Sequence, residues 1–213
     1  MKTEDLISQL AGEPVAAARG GVERRAVTGL GIGFLIALAL FLPVLGPRPD
    51  FLAVVQRPIV AVKTILPLLL GPVALLLALR AARPTMPAPA GIGALWLWPA
   101  MALALFVYAF ATTAPGARAV AFLGHSIPIC LPAIVVLAAP ILIPVFRALK
   151  DGAPTRPALC GALAGLAAAG FATALYSTFC NEDSPLFYAV WYSLGIGIVT
   201  AAGAVAGGRY LRW

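Results

Sequence analysis

The strongest candidates for chemistry in this chain are its three cysteines, its single histidine and its eight carboxylates. Most of the useful ones fall in two short stretches. One is Gly124-His125-Ser126-Ile127-Pro128-Ile129-Cys130, at the start of a long apolar run. The other is Phe179-Cys180-Asn181-Glu182-Asp183-Ser184-Pro185, which joins two apolar runs through a turn too short to be a domain. If those runs are adjacent antiparallel helices, Cys130 and Cys180 meet at one end, with His125, Glu182 and Asp183 close by as auxiliary ligands. Two thiols there can oxidise, or as thiolates bind a soft metal together with imidazole or carboxylate. Buried cysteines also serve as plain packing residues, and the residues alone leave both readings open. Cys160 cannot join the pair. It lies at the other end of the same run as Cys180, about 30 Å away at 1.5 Å per helical residue. With one histidine, a His-based relay has a single conceivable centre, and no nucleotide loop, zincin pattern or nucleophile elbow is present.

The elements that must position these groups are membrane helices. Hydrophobic residues make up 62% of the chain and charged residues 11%, with a mean hydropathy of +0.97, more apolar surface than a soluble domain can use. Six spans are predicted: 26–45, 59–79, 92–110, 127–146, 158–179 and 186–207. Each is near the ~20 residues that cross a ~30 Å hydrocarbon core. Lys63 lies a turn inside the second and is expected to snorkel back to the interface. Phe187, Tyr188, Trp191 and Tyr192 suit a helix leaving a membrane interface, as do Trp96, Trp98 and the closing basic-aromatic run to Trp213. The prolines at 67, 72, 128, 132, 140 and 144 invite kinks, or a helix soft enough to relay a signal. Glycines four apart (29 and 33, 161 and 165, 203 and 207) permit close helix contact.

Orientation follows from the basic residues. Eleven Lys and Arg fall in the N-terminal segment and every second connection, against four in the other set. That bias places both termini in the cytoplasm and the Cys180 turn outside. Scattered in this way, without aromatic interleaving, the net charge of +7 is a juxtamembrane bias and not a nucleic-acid surface. Arg24-Arg25 before an apolar run is reminiscent of a twin-arginine signal, but no cleavage site follows and further spans come at once.

Residues 1–25 form the only sizeable polar segment. Thr3 can cap a short helix with Glu4 and Asp5 in its first turn, and Leu6, Ile7 and Leu10 make one narrow apolar face before Gly12 and Pro14 stop it. At about eight residues such a helix is unstable alone, so it rests on lipid, folds against a partner or remains a disordered tail. Three apolar side chains at ~2 kcal/mol each are too few for tight binding once ordering costs are met. Further contacts are expected from residues 80–89 and 147–156 or from more of the N-terminal segment.

Several of these stretches together carry a family resemblance: Met1-Lys2-Thr3-Glu4-Asp5-Leu6-Ile7, Gly124-His125-Ser126 with Cys130, Thr155-Arg156-Pro157, Cys180 with Glu182-Asp183-Ser184-Pro185, and Trp191-Tyr192-Ser193-Leu194-Gly195. In order and spacing the chain resembles the NrsF-type membrane anti-sigma factors along essentially its whole length. The resemblance implies a bacterial inner-membrane protein with six spans that holds an extracytoplasmic-function sigma factor inactive until an external stress, typically a heavy metal, is sensed. It also implies that Thr3, Asp5, Leu6 and Leu10 lie in the sigma-binding segment, and that Cys130 and Cys180 are the outward-facing sensor cysteines. Cys160 has no counterpart in it.

The expected architecture is therefore an all-α membrane protein: a cytoplasmic sigma-binding segment (1–25), a six-helix transmembrane sensor domain (26–208) and a cytoplasmic tail (209–213). Its partners would be a sigma factor and the bilayer, with no direct contact to nucleic acid. It would need no cofactor, a soft metal ion entering only as a transient ligand of Cys130 and Cys180. The mechanism is binding, not catalysis. A small-solute transporter would need ionisable groups within its spans, which are nearly absent. A membrane thiol oxidoreductase would normally show a Cys-x-x-Cys pair or a quinone pocket, and neither is evident.

Overall fold

Prolines both start helices in this protein and lie inside them. Pro58, Pro115, Pro128, Pro157 and Pro185 each hold the first or second position of a helix, where a missing N–H forfeits no helical bond. The computed structural model describes residues 21–83 and 91–212. Its helices are α1 Gly21–Val44, α2 Phe51–Val54, α3 Pro58–Ala81, α4 Leu97–Thr112 with a 3-10 turn Ile92–Trp96 leading into it, α5 Pro115–Leu123, α6 Ile127–Lys150, α7 Pro157–Ser177 and α8 Pro185–Tyr210. No strand occurs among the described residues.

Six segments are long and apolar enough to cross a membrane, and they coincide with the six predicted spans. The ends differ. Helix α1 spans Gly21–Val44, so Glu23, Arg24 and Arg25, expected just before the first span, are helical. Helix α8 runs on to Tyr210, past the predicted end of its span. The short helices α2 and α5 have no counterpart in the sequence reading, which treats both stretches as connections. In α5, Arg118 lies 4.1 Å over the Phe110 ring and donates to the Thr113 carbonyl at 3.1 Å. Thr3, Asp5, Leu6 and Leu10 lie outside the described residues.

Helix α7 is the centre of the bundle, with α3, α6 and α8 packed around it. Its sequence explains why. Fifteen of its 21 residues are buried, and most of those are Ala or Gly, so neighbours can approach on several sides at once. A Cβ on Gly161 would come within 2.3 Å of the Gly203 carbonyl, and one on Gly170 within 2.8 Å of the Gly71 nitrogen and the Pro67 carbonyl. Helix α4, by contrast, buries only Ala109.

The glycines of α1 meet the prolines of α6. A Cβ on Gly33 would sit 2.3 Å from the Pro140 carbonyl oxygen. That oxygen has lost its helical donor because residue 144, four further on, is also proline. Gly33 thus lays its Cα against a carbonyl that the helix itself cannot satisfy, a close Cα–H···O approach. Helices α3 and α6 continue through their internal prolines.

Candidate functional site

Cys130 opens α6 and Cys180 follows the end of α7. The fold brings both into one buried cluster, 0% and 1% exposed, with Tyr176, Phe187 and Tyr192. Both are free thiols that share this cluster with the Tyr176 and Tyr192 side chains. Neither hydroxyl meets a partner in hydrogen-bond geometry. The rings of Tyr176 and Tyr192 pack edge to face at 5.9 Å, and Tyr188 lies 6.2 Å from Tyr192. Cys160 is in a second buried cluster, where its thiol donates to the Ala78 carbonyl at 3.6 Å.

The turn after Cys180 is held from two sides. On one, Gly124 has φ +52°, and a Cβ there would be 2.7 Å from Glu182 Oε1. The same oxygen accepts the His125 backbone N–H at 2.8 Å and lies 3.4 Å from Ser126 Oγ. The Gly-His-Ser stretch therefore works as a backbone cradle: glycine supplies the conformation and the space, histidine supplies its amide, and serine adds a hydroxyl. The His125 residue itself is exposed.

On the other side stand two cations. Lys63 of α3 is buried, its side chain 0% exposed. Its ammonium donates to Asp183 Oδ1 at 2.6 Å, to the Cys180 carbonyl at 2.7 Å and to the Glu182 carbonyl at 3.4 Å. The expectation that Lys63 snorkels to the interface is corrected here: an internal carboxylate and two carbonyls replace water as its partners. Arg48 donates to Asp183 at 2.9 and 3.2 Å, to Asp50 at 2.7 and 2.9 Å, and to the Cys180 carbonyl at 3.3 Å. Asp50 holds the Arg48 guanidinium well above its ordinary range, with Asp183 adding to the effect against the opposing cost of burial. Ser184 then caps α8, accepting the Leu186 N–H at 3.3 Å, before Pro185 opens the helix.

The five predicted groups thus divide by role. Cys130 and Cys180 come together, Glu182 and Asp183 are engaged by the cradle and the cations, and His125 contributes its backbone. Among the described residues no three His, Cys, Asp or Glu side chains converge to hold a metal. Two thiols alone suit a disulfide or a two-coordinate soft ion, and fall short of a four-ligand zinc centre. Sequence reasoning missed Arg48, Lys63, Gly124 and the tyrosine pair. The available signal was Lys63 itself, a charge inside a span with two carboxylates in the turn at the same end.

Comparison with known proteins bears on the whole chain. The family model described as negative regulator of sigma F, NrsF, matches residues 10–213. The chain is 37% identical to the anti-sigma-F factor NrsF of Caulobacter vibrioides (strain NA1000 / CB15N), over 217 aligned positions that cover all of both proteins. It is 34% identical over 220 positions, again the full length of both, to the probable anti-sigma-F factor NrsF of Azospira oryzae (strain ATCC BAA-33 / DSM 13638 / PS). No solved structure matches it. A multi-pass helical chain matching these regulators from end to end belongs to the NrsF family of negative regulators of sigma F, which are not enzymes.

Proposed function

We propose that this protein holds an extracytoplasmic-function sigma factor at the bacterial inner membrane through residues 1–25, and releases it when Cys130 and Cys180 react with a soft metal ion or an oxidant from outside. The observation that carries the reading is the burial of both thiols in one cluster, beside a turn that ion pairs and backbone hydrogen bonds hold in place. A site closed in this way is silent at rest. A soft ion would bind the two thiolates with release of two protons; an external oxidant would take two electrons and two protons to leave a disulfide. Either product changes the spacing of α6 and the turn after α7. A 100-fold change in affinity for the sigma factor needs only about 2.7 kcal/mol of coupling, well within what metal–thiolate bonding supplies.

The basic-residue bias supports placing the thiols outside and residues 1–25 in the cytoplasm. Thr3, Asp5, Leu6 and Leu10 then supply the cap, charge and apolar face that meet the partner. The test is a sigma-dependent reporter, read across metals and oxidants with membrane levels checked. Cys130→Ser, Cys180→Ser and the double variant should lose the response to the same extent, while Cys160→Ser keeps it. A normal response in the double variant would remove the thiol-sensing reading.

A further inference from the structure

The geometry points to Lys63 as a positioning residue for the thiol pair: its buried ammonium clamps the 180–183 turn onto α3, keeping Cys180 in the buried cluster it shares with Cys130 and closed to reagents. This builds on the sensing reading above, which names the thiols but not what keeps them shut.

An ammonium has three protons and no acceptor. Here all three are spent within four residues of chain: on the Cys180 carbonyl, the Glu182 carbonyl and Asp183 Oδ1. The Lys63 side chain is 0% exposed, so the donor end of each bond is shielded from water, most completely at the Cys180 carbonyl, while Asp183 stays 28% exposed. The clamp also crosses elements. Cys130 belongs to α6 and Cys180 follows α7, whereas Lys63 comes from α3, so Cys180 cannot shift without disturbing a third helix. Arg48 backs the arrangement from the connection before α2, sharing both Asp183 and the Cys180 carbonyl.

The charges make an asymmetric prediction. Removing Lys63 leaves Asp183 paired with Arg48. Removing the Asp183 charge instead strands a fully buried ammonium, the costlier error, which only loss of Lys63 can relieve. Lys63→Met should therefore open the site mildly, Asp183→Asn strongly, and the double variant no more than Lys63→Met.

The experiment uses the full chain in membrane vesicles and follows alkylation of each cysteine by a small permeant maleimide, with sites assigned by peptide mass. Cys160, buried in the other cluster, is the internal control. Asp183→Asn should speed labelling of Cys180 at least about tenfold, equivalent to about 1.4 kcal/mol of local opening, with Cys160 still protected. Lys63→Met should speed it about threefold, and Lys63→Met combined with Asp183→Asn should return to that lower rate. Unchanged labelling in Lys63→Met would overturn the clamp, as would a double variant as reactive as Asp183→Asn alone. Should Asp183→Asn also expose Cys160, its effect is global, and Lys63→Met decides: Cys180 must open while Cys160 stays closed. Labelling is independent of signalling. If cysteine-to-serine variants still respond to metal, the sensing reading fails while these rates still judge the clamp.

Discussion

Tyr176 and Tyr192 carry hydroxyls into a buried place where no hydrogen-bond partner receives them. An orphaned buried hydroxyl costs ~1–3 kcal/mol, so its removal should not weaken the fold. Tyr176→Phe and Tyr192→Phe are expected to leave the thermal midpoint in detergent unchanged, or raised by up to ~1 kcal/mol in stability. A loss of stability would mean that the hydroxyls are satisfied, by water or by a thiol, in the working protein. Asp50 behaves differently. Arg48 beside it holds its carboxyl down to about 2 from an ordinary 3.8. A depressed carboxylate contributes stability that is present above the unfolded value and lost as pH falls through the folded one. The contribution of this pair should thus be complete above about pH 5 and be lost progressively as pH falls from there to about 1, most of it between about 4 and 2. Acid titration of Asp50→Asn against the parent checks this, since the two should converge below that window.

Among the elements, glycine position separates packing from composition. Gly31 and Gly33 are two residues apart on α1, yet a Cβ at Gly31 would meet nothing within 4 Å and one at Gly33 would overlap the α6 backbone. Gly31→Ala should be neutral or stabilise by up to ~1 kcal/mol through helix propensity. Gly33→Ala should cost ~1–3 kcal/mol, because the obstacle is backbone and cannot rotate away. Unfolding midpoints of the two variants decide it, and equal values would mean that α1 and α6 are further apart than described. The four-residue spacing of Gly29 and Gly33, both facing α6, is visible in the sequence. Their partner is not: nothing in the pattern tells α1 that its neighbour is a proline-rich helix and not another glycine face.

For the whole molecule, the two ends carry different electrostatics. At the Cys180 end, three of the four basic residues are engaged: Arg48 and Lys63 with Asp183, and Arg118 with an aromatic ring and a carbonyl. At the other end Arg25 pairs with Asp151 and Arg83 with Glu23, both at the surface and both weak by nature. Helix α1 starts at this second end, so the segment before it joins the bundle about 36 Å of helix from the thiols. The proposed orientation makes a direct prediction. A reporter after Trp213 should be active only in its cytoplasmic form, and one near Asn181 only in its external form. Leu6→Lys with Leu10→Lys should free the sigma factor without affecting membrane insertion, as read by co-purification. Retention of the partner in that double variant would place the contact elsewhere in the chain.

The sequence by itself determined the six spans, because in lipid a backbone must satisfy its own hydrogen bonds and a long apolar run has no other solution. It also singled out Cys130 and Cys180, as thiols at one end of consecutive runs, and put Cys160 apart from them. Only the tertiary structure decided what faces what. Helices α3, α7 and α8 spread their apolar residues around the whole helix with few polar ones between, so no periodicity marks an inner face. The Lys63–Asp183 pair spans 120 residues and the Glu182–His125 bond 57, and both depend on helix neighbours that local sequence does not encode. Lys63 makes the point most plainly. By pattern it is a stray charge bound for the interface, and by packing it is the centre of the turn beside the thiols, because the carbonyls and carboxylate that make its burial affordable arrive from elsewhere in the chain.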